Sequence, residues 1–493
     1  MLAHPSFRFV AIASLFLVSV YVRFHAELVS DAAWYLYVAD GLLHGKSLYV
    51  DFMEVNPPLG MWLTVPIQWI ANELHLAPIP VLISIYFMLT AICLALCNRY
   101  LKRHEAFTGN FRTWFIIGLA AILLFMPTRD FAEREHLLLL WFLPWVFLRA
   151  LKNSDTGVSI GERVLIGVMA GIAISIKPQA IFAPFCVELF LWWRNRNLTQ
   201  VIAVENIAAI TVAAIYGLAI VFFTPAFLHE MVHLGVKAYI PYNGESTFAV
   251  IYMGMWATVL LGFGFLIRQS VVSRKGDDLF VGILLAAAAG FLLSYFIQAK
   301  GFFYQSMPTN VFGMAACMAG TIWLLQSGVN RLLPILAAII AAAFLATEKQ
   351  SYFDFDYAFW PTIQSESPKA KSIFIASTRI DLAFPLVVKH DLEWASRSPT
   401  QWLVPYLVAN SKQGEIVQDA IAAKSLDWTV SDIANMKPDI IFVDSAKNQI
   451  DEPGGPFDYL KFWARDPRFE SIWQNYQLKT KKYGFDVYVL SKP

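Results

Sequence analysis

The chain has 493 residues, 57% of them hydrophobic and 15% charged, with a formal net charge of +1 and a mean hydropathy of +0.52. That composition is too apolar for a soluble globule and indicates a polytopic α-helical membrane protein embedded in a lipid bilayer. Near-neutral charge, with Lys and Arg in short clusters between apolar runs, excludes a nucleic-acid-binding class.

Apolar runs of roughly 15 to 25 residues predict spans near 7–24, 78–98, 112–127, 134–150, 162–176, 180–193, 201–224, 249–267, 279–298, 308–325 and 332–347. That makes about eleven. The first run is short enough to resemble a signal-peptide core, but no small-x-small cleavage site closes it and more spans follow, so it reads as a retained helix. The stretch 30–60, SDAAWYLYVADGLLHGKSLYVDFMEVNPPLG, crowds Asp31, Asp40, Asp51 and Glu54 with Tyr35, Tyr37, Tyr49 and the pair Pro57-Pro58. Ser30 before Asp31 marks a helix start, and the prolines form a rigid exit. The run 59–72 is short and Trp-rich, and is placed as an interfacial helix.

The cations test the topology, because alternate connections should carry them. One set holds Arg99, Lys102, Arg103 and Arg112, then Arg149, Lys152 and Arg163, then Arg194 and Arg196, then Arg268, Arg274 and Lys275, then Arg331. The rule puts the N-terminus in the cytoplasm and the 31–58 loop and the C-terminal tail outside. From about residue 348 the composition becomes that of a soluble domain, dividing the chain into a transmembrane domain, 1–347, and a periplasmic α/β domain, 348–493. Strand-like runs 372–377, 439–445 and 485–491 alternate with helical stretches near 409–425 and 457–464, with turn signals at Pro453-Gly454-Gly455 and Tyr483-Gly484. The four cysteines, Cys93, Cys97, Cys186 and Cys317, all lie in apolar runs and predict no disulfide.

An acidic residue just past the first span (Asp31), then a tyrosine (Tyr35), a G-x-x-x-Y step (45–49) and an acidic-x-x-Pro-Pro step (54–58) resemble the first extracytoplasmic loop of the GT-C superfamily of glycosyltransferases. The similar enzymes are the protein mannosyltransferases, the aminoarabinose transferase of lipid A and bacterial lipopolysaccharide glycosyltransferases. The resemblance implies an inner-membrane enzyme that takes a sugar from a polyprenyl-phosphate donor at the extracytoplasmic face, with inversion, and passes it to a glycan, lipid or protein acceptor.

Glycosyl transfer from a phosphate-linked donor needs a base for the acceptor proton and cations for the departing phosphate. Asp31, fixed at a helix start by the membrane, is the candidate catalytic base; its alternative is a carboxylate that only solvates the helix end. Asp51, Glu54 and Asn56 are candidate contacts to acceptor hydroxyls or to a divalent cation such as Mg²⁺ or Mn²⁺, or else an ordinary polar loop. No His or Cys cluster has metal-ligand spacing, so metal use stays open. The second outward loop packs Arg129, Asp130, Glu133, Arg134, Glu135 and His136 before an apolar helix, either to bind substrate or as an internal salt-bridge cluster. This acidic element resembles the corresponding GT-C one, and its arginines suit phosphate.

Lys177 precedes the helix-breaking Pro178, so it can seat a phosphate or snorkel to headgroups. Lys300, beside Gly301, Tyr304 and Gln305, is a second candidate ligand of the carrier phosphate. His229 and His233, four apart, look like a reversed zinc-protease pair but lack a third ligand, and read as the surface of a loop helix. In WASRSPTQW (394–402) the aromatics can stack on sugars or plug the domain onto helices. A transporter or flippase of polyprenyl-linked sugars would share these features, but calls for inverted repeats and mid-membrane charge, whereas the charges here cluster on one side.

Overall fold

The computed structural model describes residues 5–104, 107–151, 157–273, 278–326, 356–412, 416–446, 449 and 456–491. The expected span at 332–347 and the turn at 453–455 lie outside them, as do Lys152, Arg274, Lys275 and Arg331. In chain order the long helices are α1 (Pro5–His25), α2 (Ser30–Leu43), α3 (Leu59–Glu73), α4 (Pro78–Arg103), α5 (Gly109–Phe125), α6 (Arg134–Arg149), α7 (Ile160–Ile176), α8 (Phe182–Asn195) and α9 (Val204–Phe223). A single turn, α10 (Val232–Leu234), joins two π-helical turns, Phe227–Met231 and Gly235–Tyr239, and α11 (Thr247–Ser273), α12 (Leu279–Gln298) and α13 (Phe303–Gln326) follow.

Among the described residues six helices are long and apolar enough to cross a membrane: 6–25, 78–103, 204–223, 247–272, 279–298 and 303–326. The other apolar helices at expected spans, α5 to α8, run 17, 16, 17 and 14 residues. The chain is thus a helical membrane protein with a small C-terminal sheet.

It divides into two compact units. The first takes the described parts of 1–26, 83–218 and 245–351; the second takes 27–82, 219–244 and 352–493.

In the first unit α12 is buried against α8, α11 and α13, and α1 and α13 pack on α5. Close approach there depends on small residues: a Cβ at Gly167 or Gly171 would collide with the backbone carbonyl of Glu205 or Ala209, so this G-x-x-x-G step lets α7 lie directly on α9. At one end of these helices Arg149 binds Glu188 at 2.7 Å and Glu205 at 2.9 Å, and Arg163 reaches Glu205 at 3.2 Å. Buried charge is costly unless paired, and here three cation–carboxylate contacts share it.

In the second unit a five-stranded sheet has the order β2-β1-β3-β5-β4. Its strands are β1 (Ser372–Ala376), β2 (Glu393–Trp394), β3 (Ile440–Asp444), β4 (Tyr476–Lys482) and β5 (Phe485–Leu490). β1 runs parallel to β2 and β3, whereas β5 is antiparallel to both β3 and β4. All five residues of β1 are buried, as a strand covered on both faces requires. Tyr483 and Gly484 both have positive φ, 54° and 85°, the backbone twist that a two-residue hairpin needs. β2, only two residues long, escapes a sequence reading, as does β4, in which Tyr476 and Leu478 alternate with Gln477 and Lys479 over too short a stretch; β4 is an exposed, lysine-rich edge.

The helix expected at 409–425 is displaced. Helices occupy Val404–Ala409 and Ala420–Met436, the second started by Asp419, whose carboxylate accepts from the amides of Ile421 and Ala422 at 2.9 and 2.8 Å. The acidic stretch 30–60 belongs to this unit: α2 packs on α3 and on the segments Ile380–Leu382 and Leu386–Lys389.

Candidate functional site

In the second unit, α2 begins at Ser30, but its N-cap is Val29 and no side chain caps it, so Ser30 is not the cap that its residue type predicts. Asp31 stands in the first turn, half-buried, where the helix dipole favours a carboxylate. Tyr35, one turn on, is buried.

The acidic residues of the following loop separate into different roles. Asp51 is exposed and accepts the Ser47 amide at 2.7 Å, which makes it a local turn acid. Glu54 is buried: one oxygen accepts from the Trp34 indole at 2.8 Å, and the other from the Asn56 backbone and side-chain amides at 2.9 and 2.6 Å. The Tyr49 hydroxyl in turn donates to the Asn56 carbonyl at 2.7 Å. Glu54 is therefore the organising centre of its loop, accepting from Trp34 and Asn56.

In the first unit the charged cluster on 128–136 is buried almost whole. Asp130 ends a 3₁₀ turn, Thr128–Asp130, and Glu133 is the N-cap residue of α6. Asp130, Glu133, Arg134, Glu135 and His136 all have less than a tenth of their surface exposed. Arg134 donates to Glu133 at 3.2 Å. Glu135 is ion-paired with Lys177.

Lys177 terminates α7 in an extended conformation just before a 3₁₀ turn, Pro178–Ile181, and its ammonium lies 5.1 Å from the Tyr304 ring centroid. The broken helix read from Pro178 is thus present, and the cation at the break sits between a carboxylate and an aromatic face. Gln305, one residue beyond Tyr304 on α13, is buried with its carbonyl oxygen unmatched among the described residues. His136 is enclosed by Tyr86 and Phe131, with ring centroids at 5.6 and 4.8 Å, a setting that suits a neutral ring.

Lys300 occupies the short connection between α12 and α13, also buried, and burial pushes its ammonium down to about 8. Its carbonyl accepts the Glu245 amide at 2.7 Å, and Gly301 takes a positive φ of 77° against the Glu245 and Val250 side chains.

Arg23 on α1 carries no motif, so the residues alone do not single it out. It is buried, donates to the carbonyls of Thr128 and Leu124 and lies 4.9 Å from the Phe131 ring, bracing the turn before the cluster.

His229, on the first π-helical turn, and His233, on α10, are both exposed, while Glu230 between them pairs with Lys424. Trp394 and Trp402 are buried, packed on Phe374 and on Tyr239 respectively, so neither presents a free face for a sugar. Among the described residues no group of three or more His, Cys, Asp or Glu side chains is arranged to hold a metal ion. All four cysteines are free.

The helices long and apolar enough to cross a membrane define the class: an integral membrane protein, with buried ionisable groups at the ends and breaks of its first unit's helices. No protein-family model matches the chain, and no curated protein matches it.

Proposed function

We propose that this protein is an integral-membrane glycosyltransferase of the GT-C type, moving a sugar from a polyprenyl-phosphate donor to a cell-envelope glycan, lipid or protein acceptor. In this reading it lies in the inner membrane with its N-terminus cytoplasmic, and the reaction and the domain 348–493 are on the periplasmic side. The observation that supports it most is the Glu135–Lys177 pair under Tyr304 at the break after α7. Charge is expensive inside a bilayer protein and marks substrate-handling positions.

Asp31 is the base. Its carboxylate takes the acceptor hydroxyl proton as that oxygen attacks the anomeric carbon, the bond to the carrier phosphate breaks, and the phosphate leaves with the bonding pair. One displacement inverts the anomeric centre. Lys177 and Lys300 neutralise charge that grows on the departing phosphate. Arg134 is a third candidate for that work, and Tyr35 and Asn56 bear on acceptor hydroxyls.

The test is turnover of synthetic polyprenyl-phosphate-linked glucose, mannose and arabinose by purified protein, read as release of the carrier phosphate. Mass spectrometry of envelope glycans in a deletion strain names the acceptor. Asp31→Asn keeps the shape and removes the base, so turnover falls about 10² to 10⁴-fold with donor still bound. Near-normal turnover by folded Asp31→Asn eliminates the assignment. Movement of intact donor across proteoliposomes, with no bond cleaved, replaces the enzyme with a flippase.

A further inference from the structure

Within the second unit the acidic stretch meets the C-terminal domain at the Tyr37 hydroxyl, which accepts the Trp394 amide at 3.0 Å, and at a main-chain hydrogen bond in which the Met53 amide donates to the carbonyl of Arg397 at 2.7 Å. Met53 immediately precedes Glu54. Arg397 is itself held by Asp432, whose carboxylate accepts from the Arg397 amide at 2.9 Å, from its guanidinium Nε at 2.8 Å and from the Ser396 hydroxyl at 3.3 Å. Asp432 is 3% exposed. Burial raises its carboxyl above the usual carboxylate range, against the opposing pull of Arg397.

A buried ion pair is a poor source of stability, since apolar residues of similar volume commonly serve as well. What it does supply is orientation. Three donors on one carboxylate fix the turn 396–398 and aim the Arg397 carbonyl at Met53. Beyond Met53, Glu54 accepts from Trp34, and Trp34 lies three residues after Asp31 on α2, on the same helix face. A continuous path of hydrogen bonds and one helical turn thus runs from the C-terminal domain to the first turn of α2.

We infer that Arg397 and Asp432 are positioning residues, by which the C-terminal domain sets the geometry of the loop carrying Glu54 and, through Trp34, that of Asp31. The catalytic part of this inference rests on the glycosyltransferase reading; the anchoring part does not. Misplacement of a reacting group by about 1 Å costs on the order of 10²-fold in rate, so loss of the anchor appears in kcat.

The test compares Asp432→Ala, Asp432→Asn and the double variant Arg397→Met/Asp432→Leu. The last replaces the pair by apolar side chains of similar volume and preserves folding. Expected are a fall in kcat of about 10²-fold for Asp432→Ala and the double variant, with KM for the lipid donor within about twofold, and partial recovery in Asp432→Asn, whose carbonyl still accepts from Arg397. Hydrogen–deuterium exchange in the peptide 47–56 accelerates in the same order. Wild-type kcat in a folded double variant overturns the inference, as does a defect confined to donor KM. If the wild type transfers no sugar, the glycosyltransferase reading fails, and the exchange measurement alone decides the anchor: unchanged exchange overturns it.

Discussion

Lys300 shows how one side chain's environment turns into a measurable property. Its burial between α12 and α13 lowers the ammonium to about 8, because taking a cation out of water disfavours the charged form. The charged form prevails below that value and is lost above it, so the proposed contact to carrier phosphate would be present at neutral pH and disappear in mild alkali. The expected outcome is a kcat/KM for lipid donor that is flat up to about pH 7.5 and then falls about tenfold per pH unit above 8, reporting the free enzyme. Lys300→Arg, permanently charged, flattens the fall. A wild-type profile that stays level to about pH 9.5 removes Lys300 from the donor site. At this scale residue type was a partial guide. Asp51 and Glu54 are three apart and chemically alike, yet one is an exposed turn acid and the other a buried hub, because the hub is made by Trp34 and Asn56.

Among elements, the break between α7 and α8 stands out because it places a charged residue where a continuous helix would present an apolar one. Pro178 cannot continue the α7 hydrogen-bond pattern, so Lys177 takes an extended backbone and its side chain meets Glu135 on α6. Removing one partner of such a pair strands the other. Glu135→Gln is expected to cost about 3–5 kcal/mol of stability, and Glu135→Gln/Lys177→Met to regain most of it. Thermal melts in detergent check this. If Glu135→Gln melts with the wild type, the pair does not hold α6 to α7. Pro178 made the break legible beforehand, whereas the partner did not, since 42 residues separate Lys177 from Glu135.

On the scale of the whole molecule, the two compact units do not follow the order of the chain. The second gathers 27–82 and 219–244 with the C-terminal domain, so the acidic stretch packs with the sheet domain that begins far downstream. The topology read from the cations puts that unit outside the cytoplasm. Protease added to intact spheroplasts should then cut the C-terminal domain, and a C-terminal reporter should be active only in a periplasmic form. Protection from protease, with the reporter active in the cytoplasm, reverses the orientation.

The sequence by itself determined the membrane class, the places of the long helices, three of the strands and the turn at Tyr483-Gly484. Each of these is written in a local pattern: apolar length, residue period or turn chemistry. Only the tertiary structure decided that Glu54 is enclosed by Trp34 and Asn56, that Lys177 pairs with Glu135, that Trp394 and Trp402 are buried, and that Arg397 anchors Met53. Apart from the local Glu54–Asn56 contact, those facts depend on contacts between segments tens to hundreds of residues apart, and no local period records which distant surface a polar side chain will meet.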